Sequence, residues 1–180
     1  MESKNLVLRK TVFEDLTYYA EWETQKPVTD FLSISEDRSY GEITRESILW
    51  EKDPTKLQFT IFLKEENIPI GRVYISRIDP DFDSLDISRI YIADERFRGK
   101  GYGEEAMRLL LEYCFMNLHT ERITIDHYTG NKTASALYLK LGFQYEGVAR
   151  NACKKNGKYY DLHIMSLLRA EYFEKVRVKK

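Results

Sequence analysis

Residues 90–107, IYIADERFRGKGYGEEAM, constrain this chain more than any other stretch. A strand-like run, Ile90, Tyr91, Ile92, leads into Arg96, Arg98, Gly99, Lys100, Gly101, Tyr102 and Gly103, and a helical pattern begins at once. The first turn of a helix leaves backbone N–H groups unpaired and carries partial positive charge. Glycines let the backbone approach a ligand closely and adopt positive φ. Strand, basic glycine-rich loop and helix together make a site for a phosphate. The loop lacks the G-x-x-x-x-G-K-[ST] of a Walker A motif, and Gly99 and Gly101 are followed by Glu104 where G-x-G-x-x-G needs glycine. A dinucleotide fold also places such a loop after its first strand, and here it lies in mid-chain.

Around this loop the periodicity predicts an alternating chain. Strands are expected at 5–10, 57–64, Pro69–Ser76, Leu85–Ile92, Arg122–His127, Phe143–Ala152 and Tyr159–Leu168. Helices are expected at Val12–Thr24, opened by a Thr11/Glu14 capping box, and at about 40–52, opened by Ser39/Glu42. Two more fall at 103–118 and 132–141, the last stopped by Gly142. Met107, Leu110, Leu111, Cys114 and Leu118 form one apolar stripe. Asn156-Gly157 marks a tight hairpin, residues 26–38 read as irregular, and the tail VRVKK as frayed. With 180 residues and no linker, the chain reads as one domain, 1–180, with a core at about 5–173.

Composition excludes some classes. Lys plus Arg is 28 and Asp plus Glu 29, giving a net charge of −1, which argues against a nucleic-acid partner. No apolar run suits a membrane span or signal peptide, so a cytoplasmic protein without a membrane partner is expected. Cys114 and Cys153 lack metal-ligand spacing, and His119, His127 and His163 build no metal set, so no metal is expected.

At the loop the chain resembles the GNAT acyltransferases. Their pyrophosphate signature, [RQ]-x-x-G-x-[GA], is met by Arg98-Gly99-Lys100-Gly101-Tyr102-Gly103. A second pattern, N-x-x-A-x-x-L-Y-x-x-x-G-F, is met by Asn131, Ala134, Leu137, Tyr138 and Gly142-Phe143. The closing segment, EGVARNACKKNGKYYDLHIMSLLRAEY, is similar to the branch of ribosomal-protein N-terminal and spermidine acetyltransferases. The resemblance implies an α+β fold: a mixed, mainly antiparallel sheet of six to seven strands flanked by about four helices. It implies acetyl-CoA as cosubstrate, bound where the fourth and fifth strands part. Ile90, Tyr91 and Ile92 would pair with pantetheine through their backbone, with an N–H at Ile92 polarising the thioester. Residues 98–103 would hold the pyrophosphate, and Asn131 would reach the pantetheine. A homodimer is the assembly common among relatives.

Acetyl transfer to an amine needs a neutral amine, a stabilised oxyanion and a proton for the leaving thiolate. A lysine-like amine is neutral in only about one molecule in 2,500 at pH 7, so a base helps. Backbone donors can serve as an oxyanion hole, worth about 3–4 kcal/mol per donor elsewhere. By resemblance Tyr138 is the acid, and Asp86 is the candidate base, with Asp126 and His127 behind it; a packed tyrosine and a solvated strand face are the competing readings. Tyr18, Tyr19, Trp22, Phe31, Tyr40 and Trp50, with Glu21, Glu23, Asp30, Glu36 and Asp37, gather where the family recognises its acceptor. The acceptor is expected to be a small-molecule amine or a peptide N-terminus. A polyamine acetyltransferase, or a CoA-binding sensor without turnover, stands as the alternative.

Overall fold

The computed structural model describes residues 1–30, 32 and 38–178. Strands β1 (Leu6–Lys10), β2 (Leu57–Leu63), β3 (Ile68–Asp79), β4 (Ser84–Ile92), β5 (Arg122–Tyr128), β6 (Gln144–Lys155) and β7 (Lys158–Leu168) form one sheet in the order β1-β2-β3-β4-β5-β7-β6. Every neighbouring pair is antiparallel except β4–β5. A parallel pair needs a crossover connection, and α4 (Tyr102–Met116) supplies it. The α+β architecture with a mainly antiparallel sheet of seven strands is the one expected.

Period-two alternation sorts the strands' two faces. Phe59, Ile61, Val73, Ile75, Leu85, Ile87, Ile123 and Ile125 join Ala106, Met107, Leu110, Leu111 and Cys114 of α4 in the larger apolar core. The expected stripe on α4 is buried up to Cys114, whose thiol burial pushes up to about 12. Thr60, between Phe59 and Ile61, faces the other way and bonds the Tyr19 hydroxyl at 2.6 Å. That second face is covered by α1 (Leu16–Trp22) and α3 (Tyr40–Glu51), which bury Leu16, Tyr19, Trp22 and Ile43 with Ala93.

Several local expectations are revised. The helix expected at Val12–Thr24 is a 3-10 turn, Phe13–Asp15, running into the seven-residue α1. Its reciprocal carboxylate is Asp15, which accepts from the Val12 N–H at 3.0 Å; Thr11 instead bonds the Tyr19 hydroxyl, so the Thr11/Glu14 box does not form. The Ser39/Glu42 box does form: Ser39 N–H donates to Glu42 at 2.7 Å and Glu42 N–H to Ser39 Oγ at 3.2 Å. The irregular stretch contains a short α2 (Lys26–Thr29), started by Pro27. Among the described residues there are six α-helices where about four were expected: besides α2, α5 (Lys132–Leu141) is followed later by α6 (Arg169–Val178), which takes in most of the tail read as frayed. Asn156 and Gly157 take φ of 49° and 77°, as the hairpin required. Phe31, Ser33, Ser35, Glu36 and Asp37 lie outside the described residues.

Gly71 on β3 sets the approach of β4. A Cβ there would stand 2.2 Å from the Tyr91 carbonyl oxygen, although the backbone conformation itself suits any residue. Gly71→Ala is expected to destabilise by about 1–3 kcal/mol through forced separation of the strands, read as a melting temperature lower by roughly 2–4 °C per kcal/mol. An unchanged melt would mean that β4 gives way freely.

Candidate active site

The parallel pairing of β4 with β5 lasts only four residue pairs, from Ser84–Arg122 to Ile87–Ile125. Beyond Ile87 the register against β3 skips Ser88, passing from Tyr74–Arg89 to Ile75–Ile87. The two strands part there, and a cavity of about 420 Å³ occupies the gap. Its walls are Ile87–Ile92 of β4 and Asp126, His127 and Tyr128 of β5. Phe97, Arg98, Gly99 and Gly103 close one end, Asn131, Ala134, Leu137 and Tyr138 of the α5 segment another, and Pro27, Val28 and Leu32 a third.

Alternation decides which backbone groups face the gap. Ala93 N–H donates to Ile70 O of β3 at 2.8 Å, and the Tyr91 carbonyl points at Gly71. Tyr91 therefore turns its backbone to β3, and Ile90 and Ile92 turn theirs to the opening. Of the three backbone positions read from the sequence, two face the gap. The Ile92 carbonyl already accepts Arg98 Nε at 2.9 Å, and Arg98 Nη2 bonds the Ala93 carbonyl at 2.8 Å. Arg98 thus pins the loop to the end of β4.

The loop itself behaves as the glycines demanded. Gly99 and Gly101 adopt φ of 72° and 86°, and Gly101 is the N-cap of α4. The first-turn N–H groups of a 15-residue helix are presented beside the cavity. Arg98, Gly99 and Gly103 line it, while Lys100, Gly101 and Tyr102 complete the turn between them. Asn131 caps α5 by accepting the Ala134 N–H at 3.1 Å, so its amide oxygen is spent on the helix.

On the β5 side, Tyr138 packs with Phe143 and His127 at ring distances of 5.9 and 6.1 Å. Burial raises its phenol well above the ordinary value, and the charge of Asp126 adds to this. Asp126 is exposed at the cavity, yet the protein beside it partly desolvates it, and this burial followed by the Asp86 charge raises its carboxyl. Asp86 does not line the cavity. It pairs with Arg77 at 2.5 Å, and burial raises its carboxyl against the opposing charges of Arg77 and Arg122. His127 Nδ1 lies 2.9 Å from the Tyr128 carbonyl, which can only accept, so Nδ1 carries the proton. His163, which has no partner legible in the sequence, stacks on His127 at 5.1 Å. Among the described residues no His, Cys, Asp or Glu cluster suits a metal ion.

One cluster escaped sequence reasoning. Glu23 is fully buried and accepts Arg72 Nη1 at 2.5 Å, Tyr91 OH at 3.1 Å, Arg89 Nη1 at 3.3 Å and Arg38 Nη1 at 2.8 Å. Burial would push its carboxyl up, but the charges of Arg72, Arg89 and Arg38 outweigh it and hold it below the ordinary value. Glu23 is therefore no surface for a cationic substrate. The available signal was Arg72, a lone charge inside the apolar run Ile70–Ile75.

A family model described as an acetyltransferase (GNAT) domain matches residues 5–144. The chain belongs to the GNAT acetyltransferase family and is an N-acetyltransferase. It is 29% identical to the uncharacterized N-acetyltransferase p20 of Bacillus licheniformis, covering 94% of this chain and 96% of that one. It is also 29% identical to YdaF of Bacillus subtilis (strain 168), provisionally named a ribosomal N-acetyltransferase, over 83% and 82% of the two chains. In fold it is similar to the Vibrio cholerae spermidine N-acetyltransferase solved with CoA and spermine, with a TM-score of 0.87, 23% identity and coverage of 95% and 99%.

Gly103 offers a clean probe of the loop. An added Cβ meets nothing within 4 Å, and the backbone conformation suits any residue. Gly103→Glu is expected to melt like the parent, since an acid in the first turn of a helix is favourable. It should weaken CoA binding roughly tenfold or more, because like charges brought together at an interface cost several kcal/mol. Calorimetric titration of CoA checks this, and undiminished affinity would remove the loop from the site.

Proposed function

We propose that the protein transfers the acetyl group of acetyl-CoA to a primary amine by direct attack in the gap between β4 and β5. The observation that carries this is that one cavity is lined both by the glycine-rich loop at the start of α4, through Arg98, Gly99 and Gly103, and by Tyr138 and Asp126. The pyrophosphate lies on Gly99, Gly101 and Gly103, beside Lys100 and Tyr102, with Arg98 holding the loop in place. The pantetheine arm adds to the open edge of β4 through the backbone of Ile90 and Ile92, and the Asn131 amide nitrogen donates to it. The Ile92 N–H, facing the gap, polarises the thioester carbonyl and steadies the oxyanion.

The amine attacks the carbonyl carbon and loses a proton towards Asp126, directly or through water. The C–S bond then breaks, and Tyr138 gives its phenolic proton to the thiolate. A phenol with a raised pKa stays protonated through the physiological range, as an acid must. Asp86, one step deeper on the same face, acts on Asp126: its charge raises the Asp126 carboxyl and makes it a better base. A cytoplasmic location, as expected from the sequence, and a homodimer, by family resemblance, belong to the same reading. Among the described residues no helix is long and apolar enough to cross a membrane.

Tyr138→Phe is expected to lower kcat about 10²-fold with little change in the KM for acetyl-CoA. A parental kcat would take Tyr138 out of the chemistry. Asp126 should govern the acidic limb of the pH–rate profile. Because its carboxyl is raised, it is still protonated just above the usual carboxylate range, and activity climbs with pH as that proton leaves. In Asp126→Asn the limb should vanish together with most of the rate; a retained limb would assign the proton transfer elsewhere.

A further inference from the structure

Arg89 stands in the β4 wall of the cavity, next to the skipped Ser88. Its guanidinium lies 5.3 Å from the Trp50 ring and 5.8 Å from the Tyr74 ring. It meets Glu23 at 3.3 Å and Glu46 at 3.5 Å. Arg72 and Arg38 hold Glu23 more closely, at 2.5 and 2.8 Å, and Arg38 also grips Glu46. Arg89 is thus the loosely held member of a set of three guanidiniums facing two carboxylates.

Among the described residues both of these carboxylates are shared among guanidiniums, and Glu42 adds its charge at Arg38. Arg89 is the member of the set that lines the cavity, and an anion arriving there would give its loosely held donors a closer acceptor. Across the opening, Asp126 is the one carboxylate among the described residues that line the cavity. The gap therefore sets a cation on β4 against an anion on β5, and the apolar Pro27, Val28 and Leu32 also line it.

Resting on the acetyltransferase reading, we propose that the acceptor is an amine that also carries a carboxylate, and that Arg89 is the residue that selects it. The planar guanidinium matches a carboxylate through two parallel N–H···O bonds. The amine lies towards Asp126, and an aliphatic body rests on Val28 and Leu32. A polyamine has only positive groups to offer. It would meet Arg89 with like charge and find Glu23 already taken by three arginines.

The test compares leucine, 4-aminobutyrate and glutamyl-leucine, each beside its carboxamide, with spermidine as the polycation. CoA release from acetyl-CoA is followed for the parent, Arg89→Gln and Arg89→Lys, and each acceptor is titrated calorimetrically into the CoA-saturated parent. At least one acid should exceed its amide at least tenfold in kcat/KM and in affinity, with spermidine below both. Arg89→Gln should bring the acid-to-amide ratio close to one. Arg89→Lys, which keeps the charge but not the fork, should retain an intermediate ratio and guards against a folding defect in the glutamine variant. Equal use of acids and amides, preference for spermidine, or full discrimination in Arg89→Gln would overturn the proposal. Acid-selective binding without CoA release from any acceptor would support Arg89 while overturning the acetyltransferase reading; no selective binding of any acid would overturn Arg89 alone.

Discussion

Everything at the site depends on β4 and β5 ceasing to pair after Ile87 and Ile125. A parallel ladder that continued would satisfy the backbone groups of Ile90 and Ile92 internally. By stopping, it leaves N–H and C=O groups on the inner edge of a strand deep in the sheet, where they need a partner. The skipped Ser88 re-aims the rest of β4, as bulges commonly do beside functional sites. Arg98 takes the Ile92 carbonyl and so ties the glycine-rich turn to the strand that ends there. Opening, loop and helix N-terminus are one construction.

The second constraint is electrostatic. Glu23 has no solvent, so its charge persists only because guanidiniums surround it. Those guanidiniums come from β3, β4 and the residue before Ser39, so one carboxylate on the edge of α1 ties three other segments together. Tyr91 adds its hydroxyl from the strand that faces the cavity. The α1 side of the sheet is held by charge, where the glycine-rich turn is held by backbone. A buried ionic set is a weak source of stability but fixes one arrangement when every member has a partner.

The strand, turn and helix start at the mouth of the gap were legible in the sequence because their parts are contiguous. Residues 90–107 contain strand, turn and helix start in order, and positive φ at Gly99 and Gly101 is what glycine spacing encodes. The hairpin at Asn156-Gly157 and the Ser39/Glu42 box are likewise local, and both formed. What could not be read was pairing at long range. Glu23 meets Arg72 and Arg89 across 49 and 66 residues, and no local pattern links them. Asp86 and Asp126 look equivalent as strand carboxylates; only the register shows that Asp126 reaches the gap while Asp86 stays beside Arg77. The capping pair before α1 is displaced by one residue, from Thr11/Glu14 to Val12/Asp15, because Glu14 and Asp15 are both suited to a cap and the structure uses Asp15.

The strand order also dictates when a newly made chain becomes competent. The glycine-rich turn and its helix are complete once α4 has left the ribosome. The facing wall is not, because Asp126, His127 and Tyr128 pair within the sheet with Ile164, His163 and Leu162 of β7 rather than with β4. Until those residues are synthesised and slide in between β5 and β6, the gap has one rigid side and one loose one. The growing polypeptide thus carries the glycine-rich turn well before the wall across the gap from it is fixed.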